Sequence, residues 1–116
     1  MAINGIHLLL YSPEAEALRA TLRDVLGWPF VDAHDGWLIF ALPPAELGVH
    51  PGEHPAHEIS LMCDDLTATM QELAARGIEF RGEPQAAGFG TTVTMVLPGE
   101  VEVTLYEPRH STAIDL

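Results

Sequence analysis

A single cysteine, Cys63, leaves no partner for an internal disulfide, which fits a reducing compartment. Basic side chains are scarce. Five Lys and Arg stand against 17 Asp and Glu, a formal net charge of −12. A field of that sign repels nucleic acid and anionic lipid, so neither is an expected partner. It concentrates cationic small molecules, and it also serves simply to keep a surface solvated. No apolar run approaches the roughly 18 residues of a membrane helix. The opening "MAINGIHLLLYSPE" lacks the basic start and small-residue cleavage site of a secretory leader. The expected location is cytoplasmic. No low-complexity segment interrupts the chain. Its 116 residues, 47% of them apolar, suffice for one domain, 1–116, with one modest core.

A unit occurs twice. "YSPEAEALRATLRDVLG" predicts a helix. Ser12 suits the cap, Pro13 the first helical position, and Glu14 and Glu16 the positive end of the dipole. Leu18, Leu22, Val25 and Leu26 form one apolar stripe, and Gly27 marks the stop. "DDLTATMQELAARG" repeats the plan, with Asp65 as cap, Leu66, Met70 and Leu73 as stripe, and Gly77 as stop. A short apolar strand precedes each helix, "IHLLLY" and "EISLMC". Strand-like text follows each. After Gly27 come "WPFVDA", the hairpin pair Asp35-Gly36, "WLIFALP" and "AELGVH". After Gly77 come "IEFRG", "FGTTVTMVLP", the turn pair Pro98-Gly99 and "EVEVTLYEP". The expected fold is α+β, two βαβββ modules of about 3–50 and 57–108, joined by the loop "PGEHPA".

This double unit resembles the vicinal oxygen chelate superfamily: glyoxalase I, extradiol dioxygenases, fosfomycin-modifying enzymes and bleomycin-binding proteins. The matching text is "GIHLLLYSPEAEALRATLRDVLGW", "HEISLMCDDLTATMQELAARGIEF" and "LPGEVEVTLYEP", spanning residues 3–108. The resemblance implies curled mixed sheets with outer helices, paired modules that close a cavity, and a homodimer with cavities across the subunit boundary. It implies no particular reaction, because one scaffold hosts many chemistries.

Alternation assigns the strand faces. Ile6, Leu8 and Leu10 suit the helix side of the first strand, leaving His7, Leu9 and Tyr11 toward the groove. Ile59, Leu61 and Cys63 suit the second helix, leaving Glu58, Ser60 and Met62 toward the groove. Of the adjacent pair His57 and Glu58, the glutamate is therefore the better cavity candidate, with His57 as alternate should a bulge reverse the phase. In the last strand Val101, Val103 and Leu105 suit the helix side, and Glu102, Thr104 and Tyr106 the cavity. Trp37, beside the hairpin turn, is a further candidate lining residue. His50 and Glu107 end the equivalent strands of the two modules and point outward by phase.

The resemblance assigns metal-ligand positions to His7, 20 residues before Gly27, and to Glu58. It also places a metal glutamate where this chain has Thr104, a neutral hydroxyl that replaces a carboxylate poorly. Glu102, on the same predicted face, is the candidate substitute ligand or proton shuttle. His7 and Glu58, with Glu102, His50 or His57, would suit Fe, Mn or Zn. The plain alternative makes His7 a groove histidine bonded to Tyr106 or Glu58. Cys63 reads as a small core residue. Trp28, Phe30, Phe40 and Phe89 read mostly as core. Gly88 and Gly90 allow a bend and form no phosphate loop, since no helix follows. Ser60 has no His and Asp partners for acyl transfer. The four histidines between 34 and 57 match no structural zinc spacing. Two classes stay open: a metal-dependent lyase or dioxygenase, and a metal-free protein that sequesters an apolar or cationic compound such as an antibiotic.

Overall fold

A computed structural model describes residues 4–115. Its elements run α1 (Ala15–Asp24), β1 (Phe30–Asp32), β2 (Leu38–Phe40), β3 (Ser60–Met62), α2 (Leu66–Ala75), β4 (Glu79–Ala87), β5 (Gly90–Leu97) and β6 (Val101–Pro108). β1 and β2 form an antiparallel hairpin, and the other strands form one mixed sheet in the order β3-β6-β5-β4. β3 lies parallel to β6, while β6, β5 and β4 run antiparallel. The second half is thus a complete βαβββ unit. No helix among the described residues is long and apolar enough to cross a membrane.

The local signals act where the sequence places them. Asp65 accepts a hydrogen bond from the Ala68 amide at 3.0 Å and caps α2. Gly27 and Gly77 take positive φ after the two helices. Asp35 and Gly36, both at positive φ, turn the β1–β2 hairpin. The α1 start differs from expectation. The helix begins at Ala15, and the Ser12 hydroxyl accepts from the Glu14 amide while donating to the Pro98 carbonyl. Ser12 therefore ties the helix entry to the β5–β6 turn. Gly99 in that turn donates to Glu14, and a Cβ there would run into the Ser12 hydroxyl, so glycine is required. At the other end, Arg76 donates to the carbonyls of Asp24 and Val25, satisfying orphan acceptors of α1.

Both helices cover the same face of the four-stranded sheet. Leu18 and Leu22 of α1 and Leu66 of α2 pack in one cluster with Ile78, Val93, Met95, Leu97, Val103 and Leu105. Ile59, Leu61 and Cys63 join it from β3 and its flanks, as their alternation predicts.

The first half departs from its expected plan. The text "IHLLLY" forms no strand; residues 6–11 are exposed, with Ile6 at 83% and Tyr11 at 84%. "AELGVH" forms none either. In the second half β6 is the central strand that β3 pairs with. Pro43 and Pro44 remove two amide donors just ahead of the equivalent first-half strand. Among the described residues no strand pairs with residues 6–11. The radius of gyration, 15.2 Å, accordingly exceeds the roughly 13 Å of a compact chain of this length.

Met95 is fully buried at the centre of the core. Met95→Ala should lower unfolding stability by about 2–5 kcal/mol, read from denaturant midpoints.

Candidate functional site

The face of the sheet turned away from the helices is built by strand alternation. Because Val93, Met95, Val103 and Leu105 are buried against the helices, Thr92, Thr94, Thr104 and Tyr106 face the other way. The register lines them up across strands. Ser60 of β3 lies beside Thr104 of β6, Thr104 beside Thr94 of β5, and Thr94 beside Arg81 of β4. The next row runs Met62, Tyr106, Thr92 and Gln85. The open face is thus a hydroxyl-rich strip. The hydroxyls of Ser60, Thr92, Thr94 and Thr104 make no hydrogen bond to other described residues, although all except Ser60 are half-buried.

Arg81 governs the carboxylates at one end. Its guanidinium donates to Glu102 at 2.9 Å and to Glu100 at 2.7 Å. The hydrogen bond to Glu100, reinforced by the charge of both glutamates, raises the arginine's pKa. Glu102, the candidate proton shuttle, therefore shares a cation instead of standing free. Arg81 reaches it because the regular register sets Arg81 beside Thr94 and Glu102 beside Val96, two residues along on the same face.

At the other end, Tyr106 lies over Gly90 and donates its phenol to the Phe89 carbonyl at 3.0 Å. Phe89 and His110 flank its ring, with centroids 6.0 and 5.8 Å away. Partial burial, and then the charge of Glu46, pushes the Tyr106 phenol above its ordinary pKa.

The structure brings Ser60, Met62, Glu102, Thr104 and Tyr106 onto one face. His7 and Tyr11 lie in the exposed N-terminal segment, and His57 and Glu58 are exposed ahead of β3. His50 hydrogen-bonds the neighbouring Pro51 carbonyl. Trp37 stands against α1, its ring 5.0 Å from the Arg19 guanidinium. Glu107 turns to the helix side and accepts from the Leu66 amide at the start of α2. Among the described residues no three His, Cys, Asp or Glu side chains gather closely enough to hold a metal ion. Arg81, Thr92 and Thr94 are the open-face residues not singled out from the sequence. All three were legible in alternation, the threonines in "TTVTMV" and Arg81 in "IEFRG", where Ile78 and Phe80 take the helix side.

Two concavities lie off this face. One of about 290 Å³ sits between α1 and the β5–β6 turn, and one of about 380 Å³ between α1 and the β1–β2 hairpin. Neither includes the hydroxyl strip. Within one chain that strip is an open wall.

Cys63 sits at the helix side, and burial pushes its thiol pKa up. Less thiolate is then present at any given pH. The expected outcome is slower modification by a disulfide reagent near neutral pH than after unfolding in denaturant, followed by absorbance.

A sequence model of the Glyoxalase/Bleomycin resistance protein/Dioxygenase superfamily matches residues 6–111. No curated protein gives a significant match. Among solved structures, TnmS3, an antibiotic binding protein from Streptomyces sp. CB03234, aligns with a TM-score of 0.67 at 22% identity, covering 93% of this chain and 98% of its own. Lactoylglutathione lyase from Agrobacterium tumefaciens aligns at 0.63 and 16% identity, covering 92% and 96%. A superfamily member from Sphaerobacter thermophilus DSM 20745 aligns at 0.63 and 22% identity, covering 92% and 99%. The match over residues 6–111, with the two-helix α+β architecture, places this chain in the glyoxalase/bleomycin resistance protein/dioxygenase superfamily.

Proposed function

We propose that the protein binds a small organic molecule against the open face of the β3-β6-β5-β4 sheet, in a groove whose second wall is another copy of the chain. The observation that carries this reading is the strip of Ser60, Thr104, Thr94 and Thr92. These are hydroxyls without partners among the described residues, on a sheet whose other face holds the core. Such groups donate and accept, so they orient a ligand's oxygens or amines. The chain is read as two modules, about 3–50 and 57–108, that meet their counterparts in a homodimer. The exposed strand-like segment 6–11 supports this, because unpaired strand edges seek partners. A cytoplasmic location rests on the lone thiol.

The donor set does not fit a resident divalent cation. Thr104 stands, by family resemblance, at a glutamate position. Glu102, its nearest substitute by sequence, is bridged to Arg81. His7 and Glu58 lie on separate exposed segments, with no third donor gathered to them among the described residues. The preferred reading is therefore sequestration of an apolar or cationic compound, the class to which TnmS3's description as an antibiotic binding protein points. A second reading, metal-assisted transformation of a small molecule, is favoured by the spacing of His7 from Gly27. There Fe, Mn or Zn would be held by His7 and Glu58, with Glu102 moving the proton.

The two readings separate on metal-dependent stability. The protein should purify without stoichiometric metal, and added Mn, Zn or Fe(II) should leave its melting temperature unchanged. Specific native-state binding at a hundredfold excess over the dissociation constant would add about 2.7 kcal/mol. A metal-dependent rise that disappears in both His7→Ala and Glu58→Ala would establish the enzyme reading instead.

A further inference from the structure

One corner of the open face carries a charge that the hydroxyl strip does not explain. Glu46 comes from the loop between β2 and β3, and its side chain is only 19% exposed. One carboxylate oxygen accepts from the Ala113 amide at 2.8 Å. The other lies 3.6 Å from the His110 imidazole nitrogen, beyond hydrogen-bond length. A carboxylate has about four acceptor sites, so most of this one's capacity is unused. A shielded carboxylate is costly unless a cation or further donors compensate it.

No arginine does so, and His110 pairs with it only when protonated. There is no lysine, and the cations are five arginines. Arg23 pairs with Asp24, Arg81 with Glu100 and Glu102, and Arg76 with the carbonyls ending α1. Arg19 stacks on Trp37. Arg109, although next to His110 in sequence, donates to the Ala87 carbonyl and the Thr91 hydroxyl. Thr91 pairs with Glu107, which caps α2, so Arg109 is turned to the helix side of the sheet.

A run of aromatic rings leads away from this carboxylate, beginning at His110. Tyr106 is flanked by Phe89 and His110, and Phe89 is 56% exposed. Ring faces attract a cation through their quadrupole, and most strongly one too weakly hydrated to prefer water. Aromatic faces beside a shielded carboxylate, in a chain of net charge −12, make the donor set that an alkylammonium group satisfies. An ordinary metal ion would want more oxygens than this corner offers.

We propose that Glu46, Tyr106, Phe89 and His110 form a subsite for a substituted ammonium group, at the end of the open face. This rests on the ligand-groove reading and makes it narrower: the bound compound carries a protonated or quaternary amine. Its oxygens or apolar body then lie along the Thr92, Thr94 and Thr104 strip. Tyr106 is the hinge between the two regions, since it belongs to both the aromatic corner and the strand row.

The test uses the intact protein and two probes, choline and its uncharged isostere 3,3-dimethylbutan-1-ol, titrated by calorimetry or by shifts of the aromatic proton resonances. Choline should bind at least about fivefold more tightly than the isostere. Glu46→Gln keeps an acceptor for Ala113 and should abolish that preference at unchanged melting temperature. Tyr106→Leu should also abolish it. Glu53→Gln, which removes an exposed loop charge, should not. Equal affinity for the two probes, or a preference that survives Glu46→Gln, overturns the subsite. Equal loss in Glu53→Gln also overturns it, because the effect is then the net charge. A single-chain mass by light scattering would sink the parent groove reading whatever choline does, so the two failures are distinct.

Discussion

The covering of one sheet face by both helices is the constraint on which the other features depend. Val93, Met95, Leu97, Val103 and Leu105 project from two adjacent strands into the space under α1 and α2. Period-two alternation then forces Thr92, Thr94, Thr104 and Tyr106 to the opposite side, whatever their function. Arg76 and Gly99 fasten the ends of α1 to the second half, so the helix of the first half serves the core of the second. The cost is borne by the first half. With α1 committed to that core, residues 6–11 and 41–59 run without regular structure.

Superfamily membership settles the scaffold and leaves the chemistry to individual side chains. An antibiotic binding protein and a lyase both align with this chain at similar TM-scores and low identity. Two positions decide more. Thr104, at the middle of the sheet, offers a neutral hydroxyl. Glu102, two residues away, is joined to Arg81 and Glu100 in a surface network. A carboxylate so engaged is a weaker candidate for proton transfer than a free one. The negative field of the chain and the shielded Glu46, which no arginine reaches, both favour a cationic guest over an anionic one.

Much of the fold was legible because its signals are local. Asp65 capping Ala68, Gly27 and Gly77 ending helices, and the Asp35-Gly36 turn each need only neighbours in sequence. The alternation of Val103 and Leu105 with Glu102, Thr104 and Tyr106 fixed the faces of β6 correctly. What was not legible depends on distant partners. "IHLLLY" has the composition of a strand, but a strand needs a neighbour, and Pro43 and Pro44 interrupt the segment that would supply it. The link from Arg81 to Glu102 joins two strands that β5 separates, and no local signal pairs them. The aromatic corner gathers Glu46, Phe89, Tyr106 and His110 from three separate stretches, and no spacing rule connects them. His7 and Glu58 were chosen by resemblance and phase, and one chain alone does not bring them together with a third donor.

The central claim is that a second copy of the chain completes the groove and gives residues 6–11 their partner. Light scattering from the purified protein at micromolar concentration tests it most directly. The account predicts a mass twice the 12.6 kDa of one chain. A mass of one chain would contradict it, leaving the hydroxyl strip an open surface with no second wall.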